Sequence, residues 1–218
     1  MQRVVFRDRR SAGELLGVEV AKLHVDKPVV LGLPRGGVPV AAEVAAAINA
    51  PLDVIVVRKL GVPRQPELAM GAIGEDGVVV VNDEVRRSTG LTEDEFAEVE
   101  RRERGDLDRL LGSIRSTRPR HELAGCCAII VDDGIATGAT VRAAITVARA
   151  NGATVVVVAT PVAPADVVVT LGSIADVVVC LEQPDPFGSV GRWYRDFAAV
   201  GQAEVVELLA GAIHRDRP

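Results

Sequence analysis

The sequence predicts an α/β fold: a doubly wound parallel sheet flanked by helices, with a C-terminal hood and a charged helical insert. Two observations carry that prediction. Aliphatic runs such as Val54-Ile55-Val56-Val57, Val78 to Val81 and Val155 to Val158 are continuous rather than alternating, which suits strands covered on both faces. These runs alternate along the chain with helical patterns, the order that winds helices onto both sides of a parallel sheet. Aromatic residues are only 3% of the chain, so the core is expected to be built from Val, Ile, Leu and Ala.

Taken in order, Ser11 to Leu23 has the pattern of a first helix. A strand from Val29 to Leu33 runs into Pro34-Arg35-Gly36-Gly37, and an Ala-rich helix follows from Val38 to Ile48. The strand Asp53 to Arg58 is next. Between Lys59 and Gly77, prolines and glycines break every period. The stretch is expected to be a long loop, and long loops inside compact domains are usually functional. Val78 to Val81 forms a strand. Thr92-Glu93-Asp94-Glu95 has capping-box spacing and opens a charged helix to Ile114. Its apolar residues Phe96, Val99, Leu107, Leu110, Leu111 and Ile114 make a narrow stripe, expected to lie on the domain surface or against a partner chain.

The strand Cys127 to Val131 and the helix Thr140 to Ala150 form one unit. The strand Thr154 to Thr160, a helix near Ala165 to Leu171 and the strand Asp176 to Leu181 complete the alternation. Gln202 to Ala212 has the pattern of a final helix. No repeat, low-complexity tract or linker interrupts the chain. Residues 1–218 are therefore expected to form a single domain, with its core at 29–181, the helical insert at 92–115 and the hood at 182–200.

The 218 residues are 48% hydrophobic and 25% charged, an ordinary globular composition. A formal charge of −5 argues against a broad nucleic-acid surface. No apolar stretch approaches a membrane span, and the first residues lack a signal-peptide core. Cys126, Cys127 and Cys180 make no disulfide framework and suit the role of small buried hydrophobes. These features together point to the cytoplasm.

The chemistry concentrates in Val131-Asp132-Asp133-Gly134-Ile135-Ala136-Thr137-Gly138-Ala139-Thr140. An apolar strand delivers two adjacent carboxylates to its carboxyl end, a turn of small residues follows, and a helix begins. The helix N-terminus offers unpaired N–H groups and a positive dipole end, and Thr137 and Thr140 add hydroxyl donors. That combination suits a phosphate. Two carboxylates beside it would repel a phosphate and instead suit vicinal hydroxyls, with or without magnesium. A ligand with both features is a phosphorylated ribose. The ending of a nucleotide P-loop, Gly-Lys-Ser/Thr, is absent.

This segment closely resembles the phosphoribosyl pyrophosphate signature of type I phosphoribosyltransferases. The resemblance implies that Asp132 and Asp133 hold the ribose 2′- and 3′-hydroxyls and that Ala136, Thr137, Gly138, Ala139 and Thr140 cradle the 5′-phosphate. It further implies that Arg35, Gly36 and Gly37 take the leaving pyrophosphate. Arg58-Lys59-Leu60-Gly61 is similar to the start of the family's mobile loop in adenine-type members. Lys59 would then neutralise charge on pyrophosphate, with an exposed basic pair on a surface loop as the competing explanation. Phe187 to Asp196 resembles the hood of the hypoxanthine-guanine branch. Carried over, Phe187 stacks on the base, Val190 reads its edge, and Asp196 joins Asp132 and Asp133 as a metal-linked acid. Trp193 is an alternative stacking residue, and a tail packing its aromatics onto the sheet is an equal alternative for the whole hood.

The segment departs from the family pattern at one position. Ala136 sits where the hypoxanthine-guanine enzymes keep a proton-exchanging Asp, so the base is left unnamed and Glu67, in the loop, becomes the candidate acid/base. The resemblance implies transfer of a phosphoribosyl group from phosphoribosyl pyrophosphate to a small nitrogenous acceptor, with Mg2+ as cofactor and a homodimer as assembly. The catalytic set would be Arg35, Lys59, Glu67 and Asp133. A regulatory protein of the same fold that senses phosphoribosyl pyrophosphate without turnover is the rival reading. Hydrolysis is a third, without a visible base for it.

Overall fold

The continuous aliphatic runs divide: Val156 to Val158 lie buried in a parallel sheet, whereas Val78 to Val81 falls in a separate antiparallel sheet and is only partly covered, with Val79 36% exposed. The structure is a computed structural model describing residues 6–115 and 119–213, with the side chains of residues 66, 67, 113 and 213 outside the described set. Five strands form a parallel sheet: β1 (Pro28–Gly32), β2 (Leu52–Val54), β6 (Cys127–Val131), β7 (Val155–Val162) and β8 (Val177–Glu182), in the order β2-β1-β6-β7-β8. Along β6, Ile129 and Val131 face one core while Ala128 and Ile130 face the other. On β7, Val157 and Ala159 take the first side and Val156 and Val158 the second. Each fully buried Val or Ile contributes about 1.5–3 kcal/mol over its exposed state, so these unbroken runs are stable only between two helical layers.

The first layer holds α1 (Arg9–Ala21), α2 (Gly37–Ile48) and α7 (Gln202–Ile213), which bury Leu16, Val20, Val44, Val205 and Leu209. The second holds α5 (Ala139–Ala150) and α6 (Ala165–Gly172), with Val141, Ile145 and Leu171 turned inward. Cys127 is buried, and burial pushes its thiol up to about 11; Cys180, half-buried, is likewise raised to about 11 by burial. Cys127 packs in one core and Cys180 against the other, in keeping with a packing role. Among the described residues no helix is long and apolar enough to cross a membrane.

The stretch expected as a long loop is a second sheet. Strands β3 (Arg58–Val62), β4 (Gln65–Ile73) and β5 (Val79–Val81) pair antiparallel in the order β3-β4-β5. The register slips at Leu60/Gly61 and again at Gly61/Val62. Such bulges break the two-residue alternation by which a strand is recognised. Glycine and proline then hide what remains of the pattern. The strand expected to run on to Arg58 is correspondingly shorter: β2 stops at Val54, and Arg58 opens the flap sheet.

A short helix that the sequence pattern did not mark, α3 (Asp83–Thr89), links the flap to α4 (Glu93–Ile114). Thr92 caps α4 as expected: its side chain accepts from the Glu95 amide, and Glu95 accepts from the Thr92 amide. Of the two placements expected for the apolar stripe of α4, on the domain surface or against a partner chain, the structure shows the first. Phe96, Val99, Leu107 and Ile114 are buried within the chain, in one core with Leu60, Met70 and Ile73 of the flap and with α7. The narrow stripe thus covers the flap sheet and is not an open face.

Candidate active site

Parallel strands end together, and β1 and β6 bring the two glycine- and acid-bearing turns side by side. Leu33 donates its amide to the Val131 carbonyl at 2.9 Å, continuing the ladder past the strand ends. The turn Pro34 to Gly37, in which the Pro34–Arg35 peptide bond is cis, then lies against Asp132 and Asp133. A Cβ on Gly37 would stand 2.5 Å from the Val131 carbonyl oxygen and 2.9 Å from the Asp132 Cα. A Cβ on Gly36 would fall 2.1 Å from Asp133 Oδ2. Only glycine permits so close an approach. Gly37→Ala is therefore expected to push the two turns apart. Thermal melting should register a loss of about 1–3 kcal/mol, the usual cost of overpacking. An unchanged melt would mean that the turns yield freely.

The acids are held in place. Asp132 Oδ1 accepts from the Asp133 amide at 2.9 Å. Asp133 Oδ2 is paired with Arg9 Nε at 2.7 Å, both side chains being largely buried. Burial pushes the Asp132 carboxyl well above the usual carboxylate range, and the Asp133 charge beside it pushes the same way. Burial also raises Asp133, although Arg9 pulls it back down. Two adjacent carboxylates in this setting favour a cation or hydroxyl donors as partners.

Beyond the acids the chain turns through Ala136 and Thr137, both exposed, into α5. Its N-cap Gly138 (φ 72°) makes no side-chain cap bond, which leaves the first amides for another acceptor. Arg142, one turn into α5, donates from Nη2 to the Thr137 carbonyl at 2.8 Å and so buttresses this turn. Lys59 and Ala139 line one groove of about 590 Å3 between the flap and α5, together with Ala72, Asn82, Arg142 and Thr146. The flap therefore brings Lys59 into one groove with the start of α5. Arg58 is half-buried and Arg35 exposed. Glu67 sits on β4, and its side chain lies outside the described residues.

The hood packs directly on the acid turn. Val190 packs on Gly134, where an added Cβ would meet Val190 Cγ1 at 2.3 Å. The Tyr194 hydroxyl donates to the Asp133 carbonyl at 2.5 Å, and burial raises its own pKa far above normal. Phe187 is half-buried. Trp193 does not present a ring to solvent: it is 4% exposed among Phe6, Ala12, Val162 and Tyr194, and its indole N–H donates to the Phe187 carbonyl at 3.1 Å. A stacking role for Trp193 is thus corrected, because its ring faces are consumed by packing. Asp196 is exposed and accepts from the Ala198 amide at 3.1 Å. Among the described residues no group of three or more His, Cys, Asp or Glu side chains gathers to hold a metal. Arg9 and Arg142, both in contact with the signature, carry no sequence motif that would have marked them.

A doubly wound sheet whose strand ends unite a Gly-Gly turn, paired acids and an open helix N-terminus defines a class, and the chain belongs to it: the phosphoribosyl transferase domain family, matched over residues 19–189. Two curated proteins of Mycobacterium tuberculosis, "Putative phosphoribosyl transferase MT0597" of strain CDC 1551 and "Putative phosphoribosyl transferase Rv0571c" of strain H37Rv, are each 54% identical over 212 residues. The match covers 97% of this chain and 48% of each of theirs, so the chain spans about half the length of these relatives. The crystal structure of TT1426 from Thermus thermophilus superposes with a TM-score of 0.91 at 42% identity, covering 95% of this chain and 98% of that one.

Proposed function

We propose that the protein transfers the 5-phosphoribosyl group of phosphoribosyl pyrophosphate to a small nitrogenous acceptor and releases pyrophosphate. The observation that carries the reading is the packing of Gly36 and Gly37 against Asp132 and Asp133. It sets a turn suited to pyrophosphate beside acids suited to a diol, with a helix N-terminus for the 5′-phosphate just beyond. Clamping both anionic ends of one ligand would fix the anomeric carbon between them, so that binding energy remote from the reacting bond orients it. Flap and hood, which both border the segment from Gly134 to Arg142, would exclude water from a carbon that is easily hydrolysed. Lys59 on the flap would neutralise charge growing on the departing pyrophosphate.

Magnesium fits the donors present. Asp132 and Asp133 offer buried carboxylates, and magnesium is commonly held by one or two carboxylates with the rest of its shell from substrate oxygens and water. Bound there, the ion would offset the negative charge of the acids and the pyrophosphate. Phe187 and Val190 are the hood residues that would meet an acceptor.

The test is titration calorimetry with phosphoribosyl pyrophosphate and magnesium, followed by pyrophosphate release across a panel of purine and pyrimidine bases. Binding, with release only when one base is present, is the expected result and would name the acceptor. Binding without release for any base would favour the sensor. Absence of binding would overturn the proposal.

A further inference from the structure

Arg9 is the first residue of α1, outside the span that the family model matches, yet it reaches the centre of the site. Its guanidinium makes three directed contacts. Nε donates to Asp133 Oδ2 at 2.7 Å, Nη1 donates to the Ala198 carbonyl at 2.7 Å, and the planar group lies 3.8 Å over the Phe197 ring. The arginine side chain is 12% exposed and that of Asp133 is 13% exposed. Phe197 and Ala198 also lie beyond the matched span, so the contact joins the two flanks of the domain at one carboxylate.

The surroundings make this a built arrangement. Phe6 and Trp193 pair main chain to main chain at 2.8 Å, and the Arg195 and Asp196 amides donate to the Phe6 and Arg7 carbonyls at 2.8 and 2.9 Å. Tyr194 lies against both Phe6 and Phe197, with ring centroids 5.5 and 5.0 Å away, and its hydroxyl holds the Asp133 carbonyl. Asp133 is therefore fixed at its main chain by the hood and at its side chain by the N-terminal helix. Left without a cation, a second carboxylate beside Asp132 would be driven to take up a proton or to turn towards solvent. A lysine would supply charge, but not a flat fork that bonds twice and stacks at once.

We propose that Arg9 is the positioning residue of the ribose site: it sets the Asp133 carboxylate for the diol and ties that setting to the hood through Phe197 and Ala198. The inference rests on the phosphoribosyl pyrophosphate reading above. Arg9 need not touch substrate. Its removal acts on binding of the phosphoribosyl donor, and disturbing the hood at Phe197 acts in the same direction.

The experiment compares the full 218-residue chain with Arg9→Met, Arg9→Lys and Phe197→Leu, using calorimetry with phosphoribosyl pyrophosphate and magnesium and a melt of each free protein. The expected result is a dissociation constant raised at least ten-fold in Arg9→Met, because the charge-assisted bond that fixes the Asp133 carboxylate is lost. Arg9→Lys should recover part of the loss. Phe197→Leu should weaken binding by less, and the double variant Arg9→Met/Phe197→Leu should be no worse than Arg9→Met alone. Millimolar methylguanidine should restore binding to Arg9→Met while methylammonium does not, a response that a purely structural role would not give. A folded Arg9→Met protein that binds within two-fold of the parent overturns the proposal. Should that variant fail to fold, unchanged affinity in both Arg9→Lys and Phe197→Leu overturns it equally. If the parent chain itself binds no phosphoribosyl pyrophosphate, the fault lies in the proposed function and both fall together.

Discussion

Asp132→Asn should melt at a higher temperature than the parent when both are free of ligand, and should lose the stabilisation that phosphoribosyl pyrophosphate gives the parent. The first half follows from the direction in which folding moves this carboxyl, upward, through burial and the neighbouring Asp133 charge. An acid raised on folding holds its proton more tightly in the native state. Its contribution to stability is complete below the unfolded pKa and is lost as pH rises through the higher folded one. At neutral pH the carboxyl is therefore a burden on the free protein, whether it ionises at a cost or takes up a proton to avoid it. Asparagine is neutral throughout and retains the Oδ1 acceptor for the Asp133 amide. The gain should be about 0.5–2 kcal/mol, as is common when a functional strain is relieved, at about 2–4 °C per kcal/mol for a chain of this size. It should shrink as the pH of the melt is lowered towards the carboxylate range.

The second half follows from the proposed role. A ligand at about a hundred times its dissociation constant adds about 2.7 kcal/mol to the native state, and the parent with magnesium and phosphoribosyl pyrophosphate should show a shift of that order. Asp132→Asn, unable to supply an anionic oxygen to the diol or the ion, should show little. Asp132 is a cleaner choice than Asp133, whose carboxylate also answers Arg9. A variant that melts lower than the parent would mean that Asp132 is not strained in the free protein. A variant that keeps the full ligand shift would remove Asp132 from the site.

The parts of the fold that could be foreseen are those in which one short stretch states its own environment. The runs in β1, β6 and β7 need cover on both faces wherever they lie, and Thr92 and Glu95 complete their capping box among themselves. The signature at Asp132 to Thr140 is equally local. What could not be foreseen depends on partners distant in the chain. The flap sheet hid behind two register slips around Gly61, and the stripe on α4 showed that an apolar face existed without showing that Leu60 and Met70 would cover it. Arg9 is one of several arginines near the start of the chain. Only the parallel sheet and the hood bring it to Asp133. Trp193 is ambiguous in sequence because an aromatic in such a tail suits stacking on a ligand and packing on a sheet equally well, and the buried cluster with Phe6 and Val162 decides for packing.

Arg115→Met should be more destabilising than any substitution named above, by about 3–5 kcal/mol, because it strands two buried carboxylates at once. Arg115 caps the C-terminus of α4 and bonds Asp53 through Nη1 at 2.8 Å and Glu75 through Nε and Nη2 at 2.6 and 2.7 Å. Asp53 is fully buried and Glu75 is 6% exposed. Burial acts against the arginine cation, but the bonds to Glu75 and Asp53 outweigh it, and its pKa is raised far beyond the usual value. Asp53 also takes the amides of Val54 and His121 at 2.8 and 2.7 Å, so it cannot turn away to find water. Arg115→Lys keeps the charge but not the fork and should lose less. Urea unfolding would measure both through the midpoint, at an unchanged slope if the native state keeps its shape. The three groups join different parts of the fold: Asp53 belongs to β2 of the main sheet, Glu75 follows β4 of the flap, and Arg115 ends the helix that covers the flap. The weakening should therefore be uneven. Amide exchange in β3 and β4 should rise by more than exchange in β6 or β7, because the flap loses its tie to the main sheet before the core opens. A loss below about 1 kcal/mol, within the range of an exposed ion pair, would mean that Asp53 and Glu75 find other partners and that the flap is held by its apolar contacts with α4 and α5.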